Sequence, residues 1–221
     1  MYQRFIRPGD LCFDVGAHVG NRTRSFRALG ARVVAIEPQP RLAALLGRMF
    51  RRDPLVTVLP VALDAVDGSL ELAVSRLTPT VSTTSARFRD AVARAASFRG
   101  VRWDERVVVP ARSLDSLIAR HGRPRFVKID VEGMEGAVLA GLSQPLAALS
   151  FEVLPAFKDP AGAAVQRLLA LGRYRFNLSV GETMRFVWPD WVDGRTLLAW
   201  LDDLATEAPS GDIYAELAEP R

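Results

Sequence analysis

The sequence predicts an α/β fold, in which a mostly parallel sheet of seven strands carries helices on both faces. Three observations predict it. Short apolar runs alternate with amphipathic helical segments along most of the chain, which is typical of parallel strands joined by helices. A glycine-rich turn joins the first apolar run directly to the first helical segment. Near the C-terminus the alternation gives way to two consecutive strand-like runs, which predict an antiparallel hairpin at the end of the sheet.

The individual elements follow from these patterns in chain order. Apolar runs predict strands at 11–15, 32–36, 55–59, 69–74, 106–109, 125–130 and 147–153. Helical periodicity and capping residues predict helices at 22–29, 40–50, 114–120, 134–140 and 161–171. The hairpin strands are predicted at 174–180 and 184–188, and a short helix follows at 196–204. A chain of 221 residues can bury a complete core, so residues 1–221 are expected to form a single domain.

The charge of the chain gives little support to a nucleic-acid partner. The formal net charge is only +4, and nearly all basic residues are arginine, with Lys128 and Lys158 as the lysines. The arginines are spread along the chain, and the densest group comprises Arg87, Arg89, Arg94, Arg99 and Arg102. We interpret this group as a solvated helix face, with a patch for an anionic substrate or nucleic acid as the alternative. We therefore expect no nucleic-acid partner.

The sequence predicts a cytoplasmic protein without a membrane span. No apolar run is long enough to cross a bilayer, and the first ten residues lack the apolar stretch of a signal peptide. The single cysteine, Cys12, lies inside the first predicted strand, where a small apolar residue is expected. It cannot form an intrachain disulfide, which suits a reducing compartment. The oligomeric state does not follow from the sequence.

The turn after the first predicted strand is the most specific feature of the sequence. It is not the dinucleotide fingerprint G-x-G-x-x-G, because His18 and Asn21 stand where that pattern requires glycine. What remains is an acid at the strand end and a glycine-rich turn, whose backbone amides can approach a ligand closely. Such a turn suits a ligand that is cationic and carries no pyrophosphate, and S-adenosylmethionine is a ligand of this kind. The expected cofactor-binding residues of this turn are Asp14, Gly16, Ala17, His18, Gly20 and Asn21.

A second acid, Glu37, ends the next apolar run and is followed by Pro38. A carboxylate at the tip of the second strand, about twenty residues further on, can accept hydrogen bonds from both ribose hydroxyls. This feature is common to folds that bind dinucleotides and folds that bind S-adenosylmethionine, so it indicates a ribose rather than one cofactor. Taken alone, Glu37 would be interpreted as an exposed strand-end carboxylate, but its spacing from Asp14 favours ribose binding. We also assign Ala62 and Leu63 to the cofactor site.

Charged residues alternate along the strand predicted at 125–130. Lys128, Asp130 and Glu132 project to one side if the strand continues that far, and Gly133 lets the chain turn into the next helix. Charged side chains in a central parallel strand are costly unless they serve a site, and this strand ends at the expected ligand crevice. The alternative is a salt-bridged cluster in which Lys128 pairs with either acid. We favour a site.

Four segments combine these motifs: FDVGAHVGNRT (13–23), IEP (36–38), SLDSL (113–117) and KIDVEGMEGAVLAG (128–141). Together with Phe151-Glu152 and GDIYAE (211–216), they resemble the FkbM family of S-adenosylmethionine-dependent methyltransferases. The resemblance implies the Rossmann-like class I methyltransferase fold, with S-adenosyl-L-methionine as cofactor. Known members methylate hydroxyl oxygens, so the expected acceptor is a small molecule, sugar or natural product. Met134 departs from the family, in which many relatives carry histidine.

Methyl transfer from a sulfonium to a hydroxyl requires an acceptor oxygen held in line with the methyl group and a base to take its proton. The candidate bases are Asp130, Glu132 and Glu152. Asp130 is the best placed of them, although it could instead bind the methionine amino group. These carboxylates could hold a divalent cation, but we expect none without a supporting histidine or asparagine cluster. The hydroxyl-rich segment 75–85 is either a substrate lid or a plain surface loop.

Two other functions remain open at this stage. A nicotinamide-dependent oxidoreductase on a related fold is disfavoured by the missing fingerprint and by the predicted terminal hairpin. A non-catalytic nucleotide-binding protein would keep Asp14 and Glu37 but would need no polar residues on the strand at 125–130.

Overall fold

The computed structural model describes residues 1–93 and 98–218. The strands are β1 (Leu11–Val15), β2 (Arg32–Ile36), β3 (Val56–Leu59), β4 (Ala62–Leu63), β5 (Gly68–Val74), β6 (Glu105–Arg112), β7 (Phe126–Ile129), β8 (Ala148–Val153), β9 (Tyr174–Val180) and β10 (Gly211–Leu217). The α-helices are α1 (Asn21–Ala28), α2 (Pro40–Met49), α3 (Ala86–Val92), α4 (Leu114–His121), α5 (Glu135–Ala140), α6 (Asp159–Leu171) and α7 (Gly194–Asp203).

The main sheet has the strand order β3-β2-β1-β7-β8-β10-β9. From β3 to β8 all neighbours are parallel, and β10 runs antiparallel to both β8 and β9. This confirms the predicted α/β fold with a mostly parallel seven-stranded sheet. The strand order reverses between β1 and β7, which is where open α/β sheets form their ligand crevice.

The antiparallel end of the sheet is built differently from the prediction. β9 confirms the strand predicted at 174–180, but the prediction of a partner strand at 184–188 is wrong, because β9 pairs with β10 instead. Residues 184–188 have no regular secondary structure. Phe186 in this segment packs edge-on against Phe5 and Trp191, with ring centroids 6.4 and 5.3 Å away. The alternating apolar residues that suggested a strand therefore fill an aromatic cluster instead of one face of a sheet.

A second sheet of three strands, with the order β4-β6-β5, accounts for two of the predicted strands. β5 and β6, predicted at 69–74 and 106–109, pair antiparallel with each other and so do not belong to the main sheet. β4 joins the opposite edge of β6. The sequence analysis also missed α3, whose buried residues are Phe88 and Val92.

The central strands are buried on both faces. In β1, Phe13 belongs to the apolar cluster covered by α4 to α7, whereas Cys12 belongs to the cluster on the opposite face with Phe26 of α1. In β7, Ile129 and Phe126 divide between the same two clusters. Successive side chains of a strand point to opposite faces, so this division confirms helices on both faces of the sheet.

The arginine-rich group lies partly on α3. Arg87, Arg99 and Arg102 are exposed and Arg89 is half-buried, whereas Arg94 lies outside the described residues. This exposure agrees with a solvated surface, and the absence of a nucleic-acid partner stays a prediction. Among the described helices, none has the length and apolar character needed to cross a membrane.

Candidate active site

A cavity of about 560 Å³ opens at the carboxyl ends of β1, β2, β7 and β8. It lies at the predicted crevice, and residues from all the sequence motifs except SLDSL and GDIYAE reach it. The predicted site residues that line it are Gly16, Ala17, His18, Asn21, Glu37, Pro38, Ala62, Leu63, Asp130, Glu132 and Glu152. The cavity lining does not include Asp14 or Gly20.

Gly16 allows the turn after β1 to press against the end of β7. Its φ is +78°, a left-handed conformation that favours glycine, and a Cβ built on it would stand 1.8 Å from the backbone oxygen of Asp130. The amides of Gly16 and Ala17 both donate to the carbonyl oxygen of Ile36, at 2.9 and 3.0 Å. The turn therefore joins the ends of β1, β2 and β7 at a single point.

Asp14 and Gly20 support this turn from below. The Asp14 carboxylate is buried and accepts a hydrogen bond from the Thr23 hydroxyl of α1, and burial raises its pKa to about 6. A Cβ on Gly20 would stand 2.9 Å from a methyl carbon of Leu46, so Gly20 lets α1 pack closely on α2. Both residues thus position the turn, and neither faces the cavity.

Glu37 connects the turn to the end of β2. Its Oε2 accepts from the amide of His18 at 2.8 Å, and its Oε1 accepts from the amide of Gln39 at 2.9 Å. Burial raises the pKa of this carboxyl to about 7. Each carboxylate oxygen can accept a second hydrogen bond, so Glu37 retains acceptor capacity on the cavity wall.

Asp130, Glu132 and Glu152 form a carboxylate cluster in which one oxygen of each lies within 4.8 Å of the others. Burial, followed by the charge of Asp130, raises the pKa values of Glu132 and Glu152 well above the ordinary range. Glu132 has a φ of +51°, and its carbonyl oxygen accepts from the Thr83 hydroxyl at 2.8 Å. The Oε2 atom of Glu152 is buried and has no hydrogen-bond partner among the described residues. The expectation that no metal binds these carboxylates stays a prediction.

Lys128 lies beneath this cluster. Its buried Nζ contacts Asp130 at 3.2 Å and Asp212 of β10 at 3.0 Å. Burial opposes its charge, but the nearby Asp130, Asp212 and Glu152 raise the Lys128 pKa well above its usual value. β7 ends at Ile129, so the face predicted for Lys128, Asp130 and Glu132 is divided: the acids line the cavity and the lysine braces one of them.

Three features of the cavity and its surroundings go beyond the site residues assigned from the sequence. Thr80, Ser82, Thr83 and Thr84 show that the hydroxyl-rich segment 75–85 forms one wall. Asp212 was quoted within a motif, but its contact with Lys128 requires the antiparallel insertion of β10. At the rim, Nη2 of Arg22 donates to both carboxylate oxygens of Glu182, at 2.7 and 2.6 Å. That last pair joins residues 160 positions apart, so no local pattern could indicate it.

Comparison with protein families provides the decisive observation. The family model described as the methyltransferase FkbM domain matches residues 14–201, which is most of the chain. The chain belongs to the FkbM methyltransferase family. The matched range includes every residue assigned to the site from the sequence, while β10 lies beyond it.

Solved structures show the same fold in distant proteins. The precorrin-6y C5,15-methyltransferase of Geobacter metallireducens GS-15 is 13% identical, with a TM-score of 0.51 over 96% of this chain and 82% of that one. The precorrin 8w decarboxylase of Methanobacterium thermoautotrophicum is 11% identical, with a TM-score of 0.50 over 96% of this chain and 84% of that one. At these identities the similarity supports the class I methyltransferase fold alone. No curated protein sequence matches the chain.

The FkbM cavity is strongly acidic. Among the described residues that line it, the acidic side chains are Glu37, Asp130, Glu132, Glu152 and Glu182, and the one guanidinium is that of Arg22. Burial lowers the pKa of His18, which favours the neutral imidazole. A cavity with this balance favours cationic or neutral ligands and disfavours polyanions.

Proposed function

We propose that the protein transfers a methyl group from S-adenosyl-L-methionine to a hydroxyl oxygen of a small molecule, sugar or natural product. The observation that carries the proposal is the shared cavity. The acid expected to bind ribose, Glu37, and the carboxylates expected to do the chemistry line one space at the switch point of an FkbM methyltransferase fold.

The residues present fit this cofactor. Glu37 has spare acceptor capacity for two ribose hydroxyls, and its ionised form gains from each hydrogen bond it accepts. Ala62 and Leu63 provide apolar surface nearby for a base. The acidic floor complements a sulfonium and an amino group, whereas a pyrophosphate would meet five acidic side chains and, among the described lining residues, no lysine. When bound, S-adenosylmethionine would supply the electrophilic methyl group.

We assign different roles to Asp130 and Glu152. Asp130 already pairs with one amino group, that of Lys128 at 3.2 Å, and we assign it to the amino group of the cofactor. Glu152 has a raised pKa and a buried oxygen without a hydrogen-bond partner among the described residues, so its carboxylate accepts a proton more readily. The positive charge of a bound sulfonium would favour the ionised forms of Glu132 and Glu152. Glu152 would then be able to take the hydroxyl proton.

The acceptor would lie between this cluster and segment 75–85. The hydroxyls of Thr80, Ser82 and Thr84 can donate to or accept from the hydroxyls of a sugar or polyol. Met134 and Leu72 add apolar surface to the same space. Because Met134 replaces the histidine of many relatives, proton removal would not depend on that position.

Calorimetric titration with S-adenosylhomocysteine and with NAD tests the cofactor assignment. We expect S-adenosylhomocysteine to bind more tightly, because the turn lacks the dinucleotide fingerprint and the cavity repels a pyrophosphate. Tighter binding of NAD would overturn the assignment and would favour a nicotinamide-dependent oxidoreductase instead.

A further inference from the structure

The Arg22–Glu182 ion pair crosses the rim of the cavity. Arg22 belongs to the first turn of α1, and Glu182 follows β9 at the opposite side of the main sheet. Both residues line the cavity. The Arg22 side chain is 23% exposed, whereas that of Glu182 is 77% exposed. The arginine is thus held in the wall, while its partner reaches in from solvent.

This pair is exchangeable on energetic grounds. Surface ion pairs contribute about 1 kcal/mol or less, and water screens the charge of Glu182 because that side chain is largely exposed. Both hydrogen bonds use Nη2 of Arg22, and in the described part of the chain Nε and Nη1 donate to no other group. A guanidinium can bind a carboxylate through two nitrogens at once, so a second anion can use the donors that Glu182 leaves.

The charge of the cavity makes Arg22 the one favourable position for an anion. Among the described lining residues it is the only lysine or arginine, and the ionisable groups around it are otherwise carboxylates and one histidine. The start of α1 adds partial positive charge beside it, since the amides of a first helical turn lack intrahelical acceptors. S-adenosylmethionine carries one anionic group, the α-carboxylate of its methionine part, and this group must be neutralised somewhere in an acidic cavity.

We propose that Arg22 binds this α-carboxylate and that Glu182 occupies the guanidinium until the cofactor displaces it. The inference rests on the proposed function, because it takes S-adenosylmethionine as the ligand. Arg22 is then a positioning residue at the methionine end of the cofactor, opposite the ribose contact at Glu37. A carboxylate bound through two nitrogens of a guanidinium uses Nη2 together with Nε or Nη1, so Glu182 competes with the cofactor for Nη2.

A pair of ligands that differ only in the carboxylate tests this role. Binding is measured by calorimetry for S-adenosylhomocysteine and for its decarboxylated form, which retains the amino group. We expect Arg22→Gln to weaken S-adenosylhomocysteine binding roughly 10- to 100-fold, the range for a lost charge-assisted pair, and to change binding of the decarboxylated form less than about twofold. Arg24→Gln is the matched control, since Arg24 is exposed on the same helix and does not line the cavity.

Glu182→Gln separates exchange from a structural role of the ion pair. If Glu182 competes with the cofactor, this variant binds S-adenosylhomocysteine more tightly than the wild type, and unchanged affinity would mean that the cofactor does not displace Glu182. A loss as large as that of Arg22→Gln would mean that the pair only holds the rim together, and it would overturn the inference. The inference would also be overturned if Arg22→Gln weakened the binding of both ligands equally, or if it changed the binding of neither. Wild-type protein that binds neither ligand would instead contradict the proposed function itself.

Discussion

Glu37 both holds the turn after β1 and lines the cavity. Its two carboxylate oxygens accept from the backbone amides and can also accept from a ligand. We expect Glu37→Gln to reduce affinity for S-adenosylhomocysteine by about 1–3 kcal/mol, since an amide cannot accept from both ribose hydroxyls and both backbone amides. Calorimetry measures this loss, and urea unfolding checks that the variant remains folded. Glu207→Gln is the control, because Glu207 is exposed and lies outside the cavity lining. Unchanged affinity in a folded Glu37→Gln protein would reduce Glu37 to a brace for the turn.

Asp130 and Glu152 lie in one cluster but differ in their partners. With an acceptor that the protein methylates, Glu152→Gln should lower turnover roughly 100-fold or more, the usual range for loss of a general base. Asp130→Asn should instead weaken cofactor binding more than it slows the chemical step, because Asp130 is assigned to the amino group. Steady-state rates at saturating cofactor, compared with calorimetric affinities, distinguish the two effects. Near wild-type turnover in Glu152→Gln would exclude Glu152 as the base and leave Glu132 to be tested in the same way.

The turn between β1 and α1 depends on a glycine at position 16. Gly16→Ala places a Cβ against the backbone of Asp130 and forces an unfavourable φ, so we expect a loss of about 1–3 kcal/mol in the free energy of unfolding and a loss of S-adenosylhomocysteine binding. Gly162→Ala in α6 is the matched control. A Cβ there meets nothing within 4 Å, and the helix should gain up to about 1 kcal/mol. Urea unfolding measures the free energy of unfolding of both variants. Equal changes in Gly16→Ala and Gly162→Ala would contradict the steric argument.

Local sequence predicted the elements whose structure is local, and this covers most of the site. The strand, turn and helix around Gly16 and the acids after β7 lie within short segments, so periodicity and glycine positions were sufficient to find them. The strand predicted at 184–188 failed because alternating apolar residues also suit packing against an aromatic cluster. Arg22 was missed as a cavity residue because its partner Glu182 is brought to it only by the complete sheet.

The whole molecule gathers buried carboxyl groups at one edge of its sheet, and this makes its stability sensitive to pH. Burial raises the pKa values of Glu37 and Glu135 to about 7 and that of Asp14 to about 6. A carboxyl whose pKa is higher in the folded than in the unfolded state binds more protons when folded, so stability falls as the pH rises through the interval from about 4 to 7.

Urea unfolding of the ligand-free protein between pH 5 and pH 8 measures this dependence. We expect the free energy of unfolding to decrease with rising pH, and to decrease less steeply in Glu135→Gln. That variant keeps an oxygen to accept from the amides of Val131 and Gly133. Glu207→Gln should retain the wild-type slope. A Glu135→Gln slope equal to that of the wild type would mean that the folded protein holds no extra proton at this carboxyl.

Methyl transfer itself is the most direct test of the account. The protein is incubated with S-adenosylmethionine labelled in its methyl group and with an extract of the organism that makes it, separated into small-molecule, lipid, protein and nucleic-acid fractions. The account predicts that the label moves to a hydroxyl oxygen of a compound in the small-molecule or lipid fraction, as an ether stable to base. Label found in the nucleic-acid or protein fraction, or in no fraction although the cofactor binds, would contradict it.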